Sequence, residues 1–162
     1  MSCNTAPEPQ HHWLRQLVGD WTFDAECVMG PDQPASKLSG IESIRSLGDL
    51  WIIAEGKGEM PGGGLMESRM TLGFDPAKNK FVGTWIGSVM ANLFVYEGEL
   101  DPARKVLPLY TTGPSFADPT KLATYQDVIQ IESASRRLLW SQTQGDDGAW
   151  TRFMTSTYSR VA

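Results

Sequence analysis

Histidine and cysteine are scarce in this chain of 162 residues, with two of each. Cys3 and Cys27 are too few for a disulfide framework or a zinc site, so we expect an exposed thiol at Cys3 and a buried one at Cys27. His11 and His12 are adjacent, and adjacent residues of a helix point about 100° apart, which makes them a poor metal-binding pair. We predict no metal site and a helix-start or surface role for both histidines.

Basic charge and long apolar runs are also missing. The 14 basic and 19 acidic residues give a net charge of −5, which argues against a nucleic-acid or anionic-membrane partner. No apolar run is long enough for a transmembrane helix. The residues Met1 to Pro7 carry no basic or apolar signal region, so a cytoplasmic location is expected. The run Pro61-Gly62-Gly63-Gly64 is not followed by Gly-Lys-Ser/Thr, so it predicts a hairpin turn rather than a phosphate-binding loop.

The composition that is present is globular, with 41% hydrophobic and 20% charged residues. Its length suits one domain with a sizeable core. A single helix is predicted from Pro9 to Leu17, because Trp13, Leu14, Leu17 and Val18 recur at helical spacing, and Gly19 ends it. We expect residues 1–8 to form a flexible tail and residues 9–162 to form one domain.

After Gly19 the chain is divided by clusters of turn-forming residues into about ten segments of strand length. The clusters lie at 30–34, 48–49, 61–64, 75–79, 101–104, 113–114, 133–135 and 145–148. Regular spacing of this kind is typical of an all-β fold, and we predict an up-and-down antiparallel β-barrel of about ten strands. The segment 111–121 has no periodicity and predicts a mobile loop over one barrel end.

Several segments alternate between apolar and polar residues, which indicates strands with one face toward a core or lumen. The apolar faces are formed by Trp21, Phe23, Ala25, Cys27 and Met29; by Met66, Met70, Leu72 and Phe74; and by Phe94, Tyr96 and Leu100. Segments 50–60, 121–131 and 150–158 mix the two faces and stay unassigned.

Charged residues inside the segments allow two interpretations. Those considered are Glu55, Lys57, Arg69, Glu97, Asp127 and Arg152. Facing the lumen, they would orient a polar ligand or act in acid–base chemistry. Facing outward, they would form cross-strand pairs on a solvated surface. Alternation places Glu67, Arg69, Glu97 and Glu99 opposite the apolar residues, which favours the outward interpretation.

Six tryptophans, six phenylalanines, four tyrosines and seven methionines supply adaptable apolar surface. Trp85 shares a face with Gly83 and Gly87, and glycines beside a large ring leave space for a pocket. A barrel of about ten strands is wide enough to hold one. The predicted ligand-binding residues are Trp85, Tyr96, Met70, Phe94 and Trp21. The alternative is that Trp85 packs in the core or lies outside.

The order of several motifs resembles a bacterial family of uncharacterised calycin-like proteins, protein-of-unknown-function family 1579. The motifs run through nearly the whole chain and are Pro7-Glu8-Pro9-Gln10-His11, Leu17-Val18-Gly19-Asp20-Trp21, Gly73-Phe74-Asp75-Pro76, Lys80 to Ser88, Glu97-Gly98 and Thr157 to Arg160. The chain departs at Gly87, where the family tends to carry Asp.

The resemblance implies a fold more than a function. Gly19-x-Trp21 also resembles the first-strand signature of lipocalins, in which the tryptophan closes one barrel end. The family is distantly similar to nitrobindin-type barrels, which bind haem through a histidine on a late strand. No histidine follows His12 here, so haem is disfavoured and no cofactor is predicted.

Three functional hypotheses remain open at the level of sequence. The first is a binder of a small, mainly apolar molecule in the barrel lumen. The second is an enzyme with Glu97 or Asp127 as a lumenal base and Arg69 or Tyr96 as electrostatic support. The third is a non-catalytic interaction protein that forms a homodimer through an exposed strand edge or sheet face.

Overall fold

The computed structural model describes residues 4–28 and 32–161. Cys3, Met29 and the start of the turn at 30–34 lie outside these residues. The predicted helix is an α-helix, α1, at Pro9–Leu14, followed by a 3-10 turn at Arg15–Leu17. Pro9 suits the first helical position because its fixed φ is already helical and its missing N–H would have no partner there.

Ten strands follow the helix, in agreement with the predicted number. They are β1 Gly19–Cys27, β2 Ser36–Leu47, β3 Trp51–Glu59, β4 Leu65–Asp75, β5 Lys80–Gly87, β6 Phe94–Gly98, β7 Val106–Pro114, β8 Leu122–Ile131, β9 Arg136–Gln144 and β10 Trp150–Arg160. Each strand pairs antiparallel with its sequence neighbours, and β10 pairs with β1, so the sheet closes into a barrel. The predicted up-and-down β-barrel is confirmed.

One end of the barrel, which we call the closed end, is sealed by the helix and the 3-10 turn. Leu14, Leu17 and Trp21 are about 1% exposed and belong to one apolar core. The indole Nε1 of Trp21 donates a hydrogen bond to the Leu17 carbonyl at 2.9 Å. The prediction that Trp21 plugs one barrel end against the helix is therefore correct.

Arg160 also contacts the closed end, through the Trp21 ring and two backbone carbonyls. Its guanidinium carbon lies 4.2 Å from the centre of the Trp21 ring. Its Nη1 donates to the Val18 carbonyl at 2.6 Å and its Nη2 donates to the Gln16 carbonyl at 2.7 Å. Since a Cβ at Gly19 would lie 2.3 Å from Nη1 of Arg160, only glycine fits beside it.

The seam between β6 and β7 differs from the others. Its register consists of Glu97 opposite Tyr110 and Gly98 opposite Leu109. Phe94 to Tyr96, the first residues of β6, pair with β5 but not with β7. Thr111 to Pro114, the last residues of β7, pair with β8 but not with β6. The two strands therefore separate on the side of the barrel away from the closed end.

One expectation is corrected by the fold, and another is decided. The segment 111–121 is not one mobile loop, because Thr111 to Pro114 complete β7, and the loop after them places the Phe116 ring 5.2 Å from the Phe153 ring. Of the two roles expected for the histidines, the helix-start role holds for His11, which belongs to the capping box of α1 and is 3% exposed. Its Nδ1 accepts a hydrogen bond from the Glu8 N–H at 2.8 Å, which leaves Nε2–H to donate to the Phe74 carbonyl at 3.0 Å.

Candidate ligand-binding site in the barrel lumen

Three of the predicted pocket residues form one row across the inner wall. Met70 on β4 lies opposite Trp85 on β5, and Trp85 lies opposite Phe94 on β6. The rings of Trp85 and Phe94 meet edge to face, with centroids 5.8 Å apart. All three side chains face inward and are half-buried. The interpretation of Trp85 as an outward-facing residue is therefore excluded.

The exposure of inward-facing side chains divides the lumen into two parts. At the closed end, these side chains are buried in the apolar core. Farther from the helix, Ala25 and Tyr125 are also buried, but several large apolar side chains that face inward are only half-buried, although strands surround them. This group, which we call the open half, consists of Phe23, Leu38, Met66, Met70, Trp85, Phe94 and Met154. A side chain surrounded by strands keeps accessible surface only where the packing leaves a gap, so the open half lines accessible space inside the barrel.

Aromatic rings of the open half lie along the wall, over glycines. A Cβ at Gly87 would lie 2.5 Å from the Trp85 ring, and one at Gly113 would lie 2.4 Å from the Phe94 ring. The space expected beside Trp85 at Gly87 is therefore occupied by the Trp85 ring itself. Rings that lie on the wall leave the axis of the barrel less obstructed than rings that point across it.

Asp127 is the predicted acid–base carboxylate that the structure places inside the barrel. It lies on β8 opposite Leu109 and Ser141. One carboxylate oxygen accepts a hydrogen bond from the Tyr96 hydroxyl, and the other accepts one from the Ser141 hydroxyl at 2.5 Å. The Asp127 residue is nevertheless only half-buried, so it faces the solvent-accessible part of the lumen.

A second polar group in the lumen is the ion pair between Arg137 on β9 and Glu42 on β2. Nη2 of Arg137 donates to Oε1 of Glu42, and the two side chains are 3% and 14% exposed. The Arg137 guanidinium carbon lies 3.8 Å from the centre of the Tyr158 ring and 4.7 Å from that of the Trp21 ring. The pair therefore crosses the lumen above the closed-end core.

Burial changes the acidity of these lumenal groups. Desolvation raises the pKa of Asp127, and the hydrogen bonds from Ser141 and Tyr96 oppose that rise because they stabilise the carboxylate. Desolvation also raises the pKa of Tyr96 well above its usual value, with the Asp127 charge adding to the effect. The pKa of Tyr158 is raised for the same first reason. Both tyrosines stay neutral at physiological pH.

The remaining predicted site residues lie elsewhere. Trp21 belongs to the closed-end core. Tyr96 is 1% exposed and lies on the closed-end side of the row of Trp85 and Phe94. Glu97 faces outward, with one oxygen 3.0 Å from Nζ of Lys78. The expectation of a lumenal base at Glu97 is wrong, because its neighbour Tyr96 takes the inward position on β6.

Arg69 is also on the outer face of the barrel. Its Nε lies 3.7 Å from the Glu55 carboxylate on the neighbouring strand. Cross-strand pairing on a solvated face was the alternative that alternation favoured, and it describes both Arg69 and Glu97. Of the proposed acid–base residues, Asp127 and Tyr96 are brought together and Glu97 and Arg69 are not.

Glu42 and Arg137 are the lumenal residues that the sequence did not single out. Glu42 shares its face with Leu38 and Ile44 on β2, so a charge on the face that carries these two apolar residues was the signal that could have revealed it. On β9, Arg136 and Leu138 alternate with Arg137 and Leu139, so either face fits the pattern equally well. The mainly apolar lumen that the sequence predicted therefore also carries the charged groups Glu42, Arg137 and Asp127.

Other features of the described residues offer less to a ligand. A groove of about 580 Å³ is lined mainly by outward-facing residues of β1, β2 and β10, among them Asp24, Lys37 and Thr157, together with the end of β3, and has no aromatic side chain. Within residues 4–28 and 32–161, no cluster of three or more metal-ligating side chains occurs. Over the same ranges, no helix has the length and apolar character needed to cross a membrane.

The antiparallel sheet closes into a barrel, and Trp21 plugs one end of it. The open half of the lumen keeps accessible surface. These features define a calycin-like barrel. The chain belongs to the family described as "Protein of unknown function (DUF1579)", whose model matches residues 6–160. The family resemblance read from the sequence motifs is therefore confirmed. The comparison with curated proteins gives no match.

Solved structures share this fold at low sequence identity. The S-type phycobiliprotein lyase CPES from Guillardia theta is 12% identical with a TM-score of 0.63, covering 96% of this chain and 99% of its own. Rv2717c from M. tuberculosis is 10% identical with a TM-score of 0.65, covering 97% and 100%. EF1p2_mFAP2b bound to DFHBI is 14% identical with a TM-score of 0.51, covering 94% and 99%. These identities establish a common fold alone.

Proposed function

We propose that this protein binds a small, mainly apolar molecule in the open half of its lumen. The observation that carries the proposal is the row of Met70, Trp85 and Phe94, whose apolar surface stays accessible inside the barrel. Ligand sites in proteins are concave and mostly apolar, with a few polar groups that fix orientation. A barrel of the same fold is known with DFHBI bound, which supports this use of the architecture.

The proposal is tested by titrating the protein with fatty acids, flavins and aromatic dyes while its tryptophan emission is recorded. A bound ligand is expected to quench or shift the emission saturably. The change should shrink in Trp85→Phe, which removes the lumenal reporter. Trp51→Phe is the matched control, because Trp51 lies over Gly73, opposite it on β4, and is 40% exposed.

Trp85→Phe removes the fluorescent reporter but does not show where the ligand binds. A variant that fills the lumen tests the location of the site directly. Ala123 lies opposite Gly113 and shares the inward face of β8 with Tyr125 and Asp127. Ala123→Phe is expected to abolish binding measured by calorimetry, while Thr124→Phe, on the other face, retains it. Circular dichroism checks both folds. Equal affinity in both variants, or the absence of a saturable signal across the panel, contradicts a lumenal site.

Haem is not expected to be the ligand. Haem iron needs an axial ligand, and the fallback candidates that face inward away from the closed end are Cys27, Met66, Met70, Tyr125 and Met154 rather than a histidine. Titration with haemin should give no sharp Soret band at one equivalent. A stoichiometric Soret band that a single substitution at one of these residues abolishes would contradict the prediction.

An enzymatic use of the lumen is the second candidate and rests on Asp127. Its carboxylate has an oriented hydrogen-bond partner in Tyr96 and keeps accessible surface, as a general base requires. Support from Glu97 or Arg69 is excluded by their outward positions. Turnover of any bound ligand that Asp127→Asn abolishes without loss of binding would favour this function over binding alone.

A further inference from the structure

One carboxylate inside the lumen has no cationic partner among the described residues. The carboxylates on the inward face of the described strands are Glu42 and Asp127, and the arginines are Arg137 and Arg160. Arg137 is paired with Glu42. Arg160 lies at the closed end, where its guanidinium is engaged by backbone carbonyls and the Trp21 ring, so Asp127 is the carboxylate left without an ion pair.

Asp127 has hydroxyl partners and no cationic partner among the described residues. The hydrogen bonds from Tyr96 and Ser141 use two of the four acceptor positions of its carboxylate. The half-buried state of Asp127 means that a molecule in the lumen reaches its surface. A carboxylate held in this way is a strong acceptor for a charged donor, because charge-assisted hydrogen bonds are about twice as strong as neutral ones.

Tyr96 connects this acceptor to the aromatic row. Tyr96, which bonds Asp127, is two residues from Phe94 on β6, and Phe94 lies opposite Trp85. The body of a ligand lying on Trp85 and Phe94 therefore has Asp127 on the side toward the closed end. Aromatic rings also attract cations through their faces, so both parts of the lumen favour the same sign of charge.

We infer that the lumen takes a ligand with an apolar or aromatic body and a protonated nitrogen, with Asp127 as the counter-charge to that nitrogen. This inference rests on the proposed binding function and adds the chemical class of the ligand. A carboxylate-bearing ligand is disfavoured, because it would bring a second negative charge beside Asp127. A neutral ligand would leave the Asp127 charge without a partner.

Three naphthalene probes of similar size test the inference on the wild-type protein. They are 1-naphthylmethylamine, 1-methylnaphthalene and 1-naphthoate, which are cationic, neutral and anionic at pH 7. Calorimetry should give an affinity for the amine about tenfold or more above that for the other two, as expected for one additional charge-assisted hydrogen bond. Tighter or equal binding of the neutral or anionic probe overturns the inference and leaves the binding proposal standing. Failure of all three to bind overturns both.

Asp127→Asn assigns the preference to this residue. The variant keeps the size of the side chain, and we expect it to lose most of the tenfold preference for the amine while 1-methylnaphthalene affinity changes little. Glu97→Gln is the matched control, because Glu97 is an outward-facing carboxylate paired with Lys78. A preference retained in Asp127→Asn, or lost in Glu97→Gln, overturns the role of Asp127. If Asp127→Asn does not fold, the wild-type comparison still decides the class of ligand.

Discussion

Removing the positive charge of Arg137 is expected to destabilise the barrel strongly. Its side chain is 3% exposed and its partner Glu42 is 14% exposed, so Arg137→Met leaves a carboxylate in the lumen without a cation. Breaking a buried ion pair in this way costs about 3–5 kcal/mol. Because methionine still covers the Tyr158 and Trp21 rings, and Glu42 keeps some access to water, we expect a value near the lower limit, about 3 kcal/mol.

A double-mutant cycle isolates the electrostatic part. Glu42→Gln combined with Arg137→Met removes both charges, and replacement of a buried pair by uncharged groups is often nearly neutral. The double variant is therefore expected to recover most of the loss of Arg137→Met. Urea unfolding followed by tryptophan fluorescence gives the free energies, with equal m-values as the check that the same transition is compared.

Arg152 supplies the matched control. Its guanidinium carbon lies 4.3 Å from the centre of the Trp140 ring, but Arg152 is exposed on the outside of the barrel. Arg152→Met should cost less than about 1 kcal/mol, the value of a cation–π contact at an exposed site. A cost for Arg137→Met no greater than that for Arg152→Met would refute the reasoning from burial, as would a double variant no more stable than Arg137→Met alone.

Two further predictions concern the core and the lumenal acid. Trp21→Ala should lower the free energy of unfolding by about 3–5 kcal/mol, because it empties a large buried aromatic site, and an unchanged thermal midpoint would contradict this. Since burial raises the pKa of Asp127, the folded state holds this proton more tightly than the unfolded chain. The free energy of unfolding of the wild type should therefore fall relative to that of Asp127→Asn as the pH rises from about 4 through the raised pKa. Urea unfolding that gives the same difference between the two proteins at every pH would contradict the assignment.

The fold could be predicted from the sequence because most strands alternate and most turns carry their own chemistry. The face of Trp21, Phe23 and Ala25 points inward as expected. Turn residues recur often enough to separate ten strands, and a closed up-and-down barrel is a common way to leave no unpaired strand edge. These are local signals, and a local signal suffices where one face of a strand meets water.

The strands that mixed their faces do so for identifiable reasons. On β8 the outer face is covered as well, since Gln126 and Val128 are 7% and 3% exposed beside Trp140 on β9. On β3 the inward positions after Ala54 are Gly56 and Gly58, which carry no hydrophobic signal.

On β10 an irregular register between Arg152 and Met154 shifts the period. Asp127 lies on a strand buried on both faces, so its lumenal position could not be read from alternation. The pairing of Glu42 with Arg137 joins residues far apart in the chain, and no local pattern encodes it.

The sparse seam between β6 and β7 has a kinetic consequence. Separating these strands breaks the pairs of Glu97 with Tyr110 and Gly98 with Leu109, whereas every other seam has a longer register. Local opening is least costly where the fewest backbone hydrogen bonds are lost. Amide protons along β6 should therefore exchange with solvent faster than those of the other strands, and fluctuations at this seam would set the rate at which a guest reaches Trp85 through the side of the barrel.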